Sequence, residues 1–227
     1  MKDLITIGLP SKGRLKDRAI SFFYDRGLKI LQSEKERNYF GTIENKPNIK
    51  IIFLHAKEIV QRLGDGTLDM GISGLDLLKE SSKNLQDKIS VQKKLDFGNA
   101  SLVIAVPGDW IDAQTIADLE EISFDIRLKR NARLRVATKY PNLTNDFLIS
   151  KGVTQYKLIP SLGATETYPF IGSSEIITDI TSTGKTLADN NLRVLKDGLI
   201  LNSTACLLIT KNKALKLKFF LNSLKKE

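Results

Sequence analysis

The stretch from Ser174 to Leu187, SEIITDITSTGKTL, joins carboxylates to a loop that is rich in threonine. Its Gly184-Lys-Thr sequence has the order of a P-loop, but Asp179 stands where that motif requires its first glycine. Hydroxyls, a glycine and the amides of a helix start suit a terminal phosphate. Asp179 and Glu175 could accept hydrogen bonds from sugar hydroxyls or hold magnesium. The pattern therefore predicts a phosphoribosyl pocket.

Two further segments lie at predicted strand-to-helix junctions. Lys12 and Arg14 flank a glycine in PSKGR, where cations oppose the helix dipole unless an anion lies between them. They therefore suit pyrophosphate or triphosphate. The segment DMGISGLD, residues 69 to 76, carries glycines that could let a flat ring lie against the backbone.

Each segment also has a purely structural interpretation. Asp179 and Thr183 could cap a turn, Asp76 could cap a helix, and the two cations could be ordinary first-turn surface residues. His55 is the only histidine and has no clustered partner in the sequence, which argues against a Ser-His-Asp triad.

The elements that must position these segments alternate along the chain. Strands are predicted at residues 4–8, 49–54, 102–106, 134–138, 176–180, 192–195 and 205–210. Helices are predicted at residues 15–26, 56–63, 75–79, 143–150 and 186–190, with one more after the last strand. This alternation predicts an α/β fold with a mostly parallel sheet and ligands at the carboxyl ends of its strands. Pro107-Gly-Asp and the charged stretch after Phe124 are predicted to be exposed loops.

Composition narrows the function classes. The 227 residues are 41% hydrophobic and 27% charged, as in a globular protein. We find no apolar run long enough for a signal peptide or a membrane span, and the single cysteine, Cys206, suits a reducing compartment. We therefore expect a cytoplasmic protein that neither spans a membrane nor contains a disulfide.

The net charge of +9 suits polyanionic ligands, whether nucleic acid or phosphorylated small molecules. Much of it lies in residues 127–135 and 211–226. The tail is interpreted as a solvated helix whose apolar positions Ala214, Leu217, Leu221 and Leu224 pack on their own domain or on a partner. Nucleic-acid binding is not favoured, because the sequence has no aromatic stacking platform or recognisable module.

Six motifs, read in order, resemble those of the ATP phosphoribosyltransferase family, the first enzyme of histidine biosynthesis. They are LPSKGRL (9–15), DMGISGLDLL (69–78), RVATKYP (135–141), LGATETYPFIG (162–172), SEIITDITSTGKTL (174–187) and NLRVL (191–195). The resemblance implies transfer of the phosphoribosyl group of phosphoribosyl pyrophosphate (PRPP) to N1 of ATP. The products are N1-(5-phosphoribosyl)-ATP and pyrophosphate.

The resemblance also implies a two-lobed fold of the periplasmic-binding-protein type II class, with the active site in the cleft between the lobes. Lobe I would comprise residues 1–95 and 186–227, and lobe II residues 96–185. A noncatalytic small-molecule-binding module of the same fold is the alternative function, which fold alone does not exclude.

By the same resemblance, the catalytic residues are Glu166, Asp179 and Arg14. Substrate binding is assigned to Lys12, Arg14, Gly71, Ser73, Gly74, Thr138, Tyr140, Glu175, Asp179, Thr181, Ser182, Thr183, Gly184, Lys185 and Thr186. The sequence departs from the usual Ala-Asp-Ala-Ile at residues 174–177, so Glu175 carries that carboxylate one methylene further out. The reaction passes through an oxocarbenium-like state that needs no enzyme nucleophile.

The implied cofactor is Mg²⁺, carried by the substrate phosphates, with no metal ion held by protein side chains alone. The chain resembles the short form of the family, which has no additional regulatory domain after the catalytic part. We therefore expect a homodimer within a hetero-oligomer that contains a regulatory subunit similar to histidyl-tRNA synthetase.

Overall fold

A computed structural model describes residues 4–32 and 39–224. By its internal contacts the chain divides into two units, with boundaries after Gly98 and after Ser203. The first unit therefore takes both ends of the chain, and the second takes the middle. Each unit has its own sheet.

The first unit is built on a seven-stranded sheet in the order β2-β3-β4-β1-β5-β12-β6. Its strands are β1 (Ile5–Pro10), β2 (Ile30–Gln32), β3 (Phe40–Ile43), β4 (Lys46–Leu54), β5 (Met70–Gly74), β6 (Ile89–Lys94) and β12 (Ala205–Thr210). Its helices are α1 (Gly13–Tyr24), α2 (Ala56–Gly64), α3 (Leu75–Glu80), α4 (Lys83–Lys88) and α8 (Ala214–Ser223). Apolar clusters cover the sheet on both faces, one around Phe23 and Phe53 and the other around Ile59 and Leu63.

The second unit is built on a five-stranded sheet in the order β11-β7-β10-β8-β9. Its strands are β7 (Ala100–Pro107), β8 (Leu134–Thr138), β9 (Tyr156–Pro160), β10 (Ile176–Thr181) and β11 (Leu192–Ser203). Its helices are α5 (Ile116–Arg130), α6 (Pro141–Ser150) and α7 (Lys185–Asp189), with a 3-10 turn at Thr165–Thr167. Two apolar clusters again cover the two faces.

The predicted α/β class is confirmed, but the expectation of mostly parallel strands is not. Among the described strands, four pairs run parallel, namely β1 with β4, β1 with β5, β10 with β8, and β8 with β9. The other six described pairs are antiparallel. The reason is that each sheet contains a strand that lies antiparallel to its neighbours on both sides. In the first unit one such strand is β12, which lies between β5 and β6.

One unit boundary and one predicted loop differ from the sequence expectation. The predicted change of lobe at residue 185 falls at 203 in the structure, because β11 pairs with β7 and therefore stays in the second unit. The charged stretch after Phe124 forms the last turns of α5 rather than a loop. The missed signal is a capping box, in which Thr115 and Asp118 exchange side-chain and backbone hydrogen bonds at the start of the helix.

Candidate active site

The junction from β10 to α7 forms a short loop that its own threonines hold. Gly184 has φ +75, in the left-handed region that glycine enters without strain, and its amide donates to Thr181 Oγ1 over 2.8 Å. The amide of Lys185 donates to Thr183 Oγ1 over 3.3 Å. Ser182, Thr183, Lys185 and Thr186 are exposed. The sequence-predicted phosphate loop therefore presents hydroxyls and an ammonium group to solvent.

Asp179 lies two residues before the end of β10. Strand side chains alternate, so Asp179 shares one face of the sheet with Thr181 at the edge of the loop. Its Oδ1 accepts a hydrogen bond from the Ile180 amide over 2.8 Å. Burial raises the pKa of Asp179, and Glu166 raises it further, while Lys139 acts in the opposite direction. Within the described part of the chain, no cation lies within ion-pair distance of this carboxylate.

Glu166 belongs to the 3-10 turn at Thr165–Thr167, which contacts β10. The turn is tied together by a 2.9 Å hydrogen bond between the hydroxyls of Ser161 and Thr165. Ala164 precedes it with φ +41, a left-handed conformation that costs an alanine on the order of 1 kcal/mol. In this position the charge of Glu166 adds to the effect of burial and raises the pKa of Asp179.

Lys139 is a charged neighbour of this pair that the sequence analysis did not select. Thr138 of β8 is in register with Thr178 of β10, so Lys139 follows at the level of Asp179. Its side chain is exposed. The signal was a cation directly after a strand, between the selected Thr138 and Tyr140.

The two flanking residues serve the turn itself. Thr138 Oγ1 accepts a hydrogen bond from the Tyr140 amide over 2.9 Å and lies 3.1 Å from Thr144 Oγ1. Both Thr138 and Tyr140 are buried. Thr138 therefore holds the start of α6, and its predicted place beside the nucleotide stays a prediction.

Glu175 lies at the other end of β10. Six residues at about 3.3 Å each place it roughly 20 Å from Thr181, much farther than a ribose phosphate can span. Its carboxylate accepts from the Arg135 guanidinium over 2.6 Å and from the Arg135 amide over 2.7 Å. Burial would raise the pKa of Glu175, but the hydrogen bonds and charge of Arg135 together lower it. The predicted ribose contact of Glu175 is therefore corrected to a structural ion pair.

In the first unit, Lys12 and Arg14 lie at the junction of β1 and α1, as the sequence predicted. Lys12 is the N-cap of α1 without a side-chain cap, and Gly13 follows with φ +67. Both cations are exposed. Among the described residues neither forms an ion pair, so both charges are available to an anion at the helix start.

The selected residues of β5 are explained by packing. A Cβ on Gly71 would come 2.6 Å from Ile59 Cγ2, and one on Gly74 would come 2.3 Å from Asp76 Oδ1. Ser73 is fully buried and donates to the Ala56 carbonyl over 2.7 Å. Packing of α2 against Gly71 and of α3 against Gly74 therefore explains why these positions are small, and the contact with a flat ring stays a prediction.

Within residues 4–32 and 39–224, no group of three His, Cys, Asp or Glu side chains is placed to hold a metal ion. Among the helices described, none has the length and apolar character that crossing a membrane requires.

Comparisons with known proteins agree with one another. The sequence model of the HisG family, described as ATP phosphoribosyltransferase, matches residues 55–226. The ATP phosphoribosyltransferase of Brucella melitensis biotype 2 is 44% identical over 204 residues, which cover 89% of this chain and 88% of that protein. The enzyme of the same name from Chelativorans sp. is 44% identical over 210 residues, or 92% and 91% of the two chains.

Solved structures show the fold. A chain of the ATP phosphoribosyl transferase (HisG:HisZ) complex from Thermotoga maritima superposes with a TM-score of 0.75 at 23% identity, covering 98% of this chain and 97% of that one. The ancestral amino acid-binding protein AncCDT-1 superposes with a TM-score of 0.57 at 15% identity, covering 98% and 88%. The two-lobed binding-protein class is therefore confirmed as the fold.

Proposed function

This chain belongs to the ATP phosphoribosyltransferase family, and from that membership we propose how its residues divide the reaction. The enzyme transfers the phosphoribosyl group of PRPP to N1 of ATP in the first step of histidine biosynthesis. The likeness to amino acid-binding proteins is one of fold at 15% identity, whereas the likeness to transferases extends to sequence. The binding-module alternative is therefore not favoured.

The proposed PRPP site is the end of β10 with the loop that follows it. The observation that carries it is Asp179, a carboxylate without an ion-pair partner in the described chain, two residues before a loop of exposed hydroxyls. Thr183 to Thr186 bind the 5′-phosphate through amides, hydroxyls and the Lys185 ammonium. Thr181 holds the loop, since its hydroxyl accepts from Gly184. Asp179 accepts from the ribose hydroxyls.

The proposed catalytic contribution is electrostatic. When adenine N1 attacks the anomeric carbon, positive charge develops on the ribose ring as pyrophosphate leaves. Glu166 and Asp179 form a negative pair, and fixed charges that face a developing charge lower the barrier without reorganisation. Lys139, Lys12 and Arg14 are assigned to phosphate groups of the substrates. Positioning supplies the rest, because no covalent intermediate is needed.

Magnesium is proposed to arrive on the substrate phosphates. Mg²⁺ usually takes one or two carboxylates together with phosphate oxygens, and Asp179 and Glu166 are the carboxylates that suit this arrangement. A bound Mg²⁺ would supply positive charge against the pyrophosphate group.

We also propose that the enzyme acts in the cytoplasm, as a homodimer within a hetero-oligomer that contains a regulatory subunit similar to histidyl-tRNA synthetase. Support comes from the solved relative in Thermotoga maritima, a HisG:HisZ complex whose chain superposes over 98% of this one. The buried free thiol of Cys206 is compatible with a reducing compartment.

The decisive assay mixes the purified chain with PRPP, ATP and Mg²⁺ and follows the ultraviolet absorbance of phosphoribosyl-ATP. It is run with and without the separate subunit, across a histidine titration. We expect turnover, with full activity and histidine inhibition only when the subunit is present. Stoichiometric binding without turnover would contradict the transfer reaction, whereas histidine inhibition of the isolated chain would contradict only the regulatory proposal.

A further inference from the structure

Helix α8 presents an apolar stripe that the sequence pattern did not indicate. Leu217 and Leu224, from the predicted apolar line, are buried against their own unit together with Phe220. Leu215 and Phe219 are each 87% exposed. Because positions i and i+4 of a helix are neighbours, these two side chains form one stripe on the outer face of α8.

Beside the stripe lies a groove of about 990 Å³, lined by Phe219 and Phe220 of α8, Pro47 and Ile49 of β4, and Ile5 of β1. A second groove of about 410 Å³ shares Pro47 and Ile49 with it. We call the two grooves together with the stripe the hairpin-helix face, defined by Leu4, Leu31, Phe40, Pro47, Leu215 and Phe219.

The hairpin-helix face lies apart from the proposed phosphate-binding residues of the same unit. Ile5 begins β1, whereas Lys12 and Arg14 follow its last residue, Pro10. The larger groove is therefore at the amino end of the strand. Binding of the substrates therefore does not account for this groove, and exposed apolar surface rimmed by polar residues is typical of protein interaction sites.

The described charged residues that line the two grooves are all basic. Lys46, Lys50 and Lys216 line the two grooves, and none of the described residues that line them is acidic. Asp69 pairs with Lys216 over 2.8 Å, so one of the three charges is already neutralised. A twofold contact between two copies would bring the same lysines together, and like charges across an interface oppose association. A partner with carboxylates around an apolar centre matches this surface.

We propose that the hairpin-helix face docks a separate protein subunit that presents apolar side chains flanked by carboxylates. This inference rests on the proposed function, in which such a subunit regulates the enzyme. Phe219 is the central anchor, because a few large side chains that become fully buried on binding carry most of the binding energy of an interface.

The test compares two double substitutions that are matched in residue type and spacing. Leu215→Glu with Phe219→Glu alters the face. Phe124→Glu with Leu128→Glu alters a phenylalanine and a leucine four residues apart on α5, where Phe124 is 43% and Leu128 is 79% exposed. Binding of the purified regulatory subunit is measured by calorimetry. We expect the first pair to weaken binding at least about tenfold and the second to leave it unchanged. Unfolding midpoint and basal turnover should be unchanged in both.

A charge reversal sharpens the test. Lys46→Glu should slow association with the subunit at low salt, and the difference should shrink as salt is raised, because a rim charge steers encounter and is screened. Lys129→Glu on α5 is the matched control and should leave the association rate unchanged.

The remaining outcomes overturn the inference in distinguishable ways. Equal binding of the subunit by wild type and both double variants would show that the partner docks elsewhere, with the regulatory proposal intact. Loss of self-association with the first pair, and no change in subunit binding, would assign the face to a second copy of this chain. If wild type turned over substrate but bound no subunit, the regulatory proposal would fail together with this one, while the transferase activity stood.

Discussion

The two ends of β10 carry two carboxylates that the structure treats in opposite ways. Glu175 directly precedes β10, and its carboxylate accepts hydrogen bonds from the guanidinium and the backbone amide of Arg135. The same guanidinium also donates to the Gly172 carbonyl over 2.9 Å. Asp179 leaves the strand with one backbone hydrogen bond. Burial raises the pKa of Asp179, whereas Arg135 outweighs burial and lowers the pKa of Glu175. A carboxylate left without a cation beside an anion-binding loop is ready for a ligand, and one already paired is part of the scaffold.

The largest expected effect comes from Asp179→Asn. An amide cannot accept equally from two ribose hydroxyls, and hydrogen bonds to a charged group are worth about 1.5 to 3 kcal/mol. We therefore expect kcat/KM for PRPP to fall about 10-fold to 100-fold, with ATP affinity in calorimetry nearly unchanged. Glu175→Gln is the paired control and should keep KM for PRPP within about twofold. An equal fall in kcat/KM for PRPP in both variants would show that Asp179 and Glu175 do not differ in their role toward PRPP.

Gly184→Val tests the loop that follows β10, at the Asp179 end of the strand, without changing its charge. The side chain would be strained at φ +75 and would occupy the space over the loop, although no protein atom lies within 4 Å of its Cβ position. We expect PRPP binding to weaken about tenfold. Gly152→Val is the matched control, with φ +82 and the same open surroundings after α6. Both variants should lose similar stability, on the order of 1 to 2 kcal/mol, but only the first should lose PRPP affinity. Normal PRPP binding by the Gly184 variant would move the phosphate away from this loop.

Glu175→Gln tests the ion pair at the start of β10 through the free energy of unfolding. Removing the charge leaves the Arg135 guanidinium with a weaker acceptor in a half-buried site. We expect the free energy of unfolding at pH 7 to fall by about 1 to 2 kcal/mol, less than for a fully buried pair because solvent screens the arginine. Denaturant unfolding measures it. Arg135→Met should cost a similar amount, and the double variant should cost less than the sum of the two. Additive losses would show that the two side chains do not stabilise each other.

The smallest expected effect is the opposite pH dependence of the two ends. The lowered pKa of Glu175 means that its stabilisation is present above the unfolded-state pKa, near pH 4, and is lost as pH falls through the folded value. The raised pKa of Asp179 means that the folded protein disfavours its charged form. Asp179 therefore does not destabilise the folded state at low pH, and it lowers the free energy of unfolding as pH rises through the folded value. Without ligand, Asp179→Asn should raise the unfolding free energy by a few tenths of a kcal/mol at pH 7, and by less at pH 4. The deficit of Glu175→Gln should also shrink at pH 4. A pH-independent difference in either variant would remove titration as its cause.

The sequence alone was sufficient to predict features that depend on a few adjacent residues or on the order of motifs. The order of motifs indicated the family, strand and helix alternation indicated the α/β class, and the Thr-Gly-Lys-Thr loop followed a strand as expected. Lys12 and Arg14 also lie at a helix start as predicted, since a junction between consecutive elements depends on a few adjacent residues.

Tertiary structure alone decided which selected side chains remain available. Glu175 and Arg135 are 40 residues apart and meet because β8 and β10 pair in parallel; Gly71 and Gly74 are small because α2 and α3 cover them. Likewise, Leu217 and Leu215 are equally apolar in sequence, yet the sheet buries one and leaves the other in solvent. Spacing along the chain fixes the side of a strand or helix on which a residue lies. What meets that side depends on contacts between distant segments, and those contacts form only when the whole sheet is assembled.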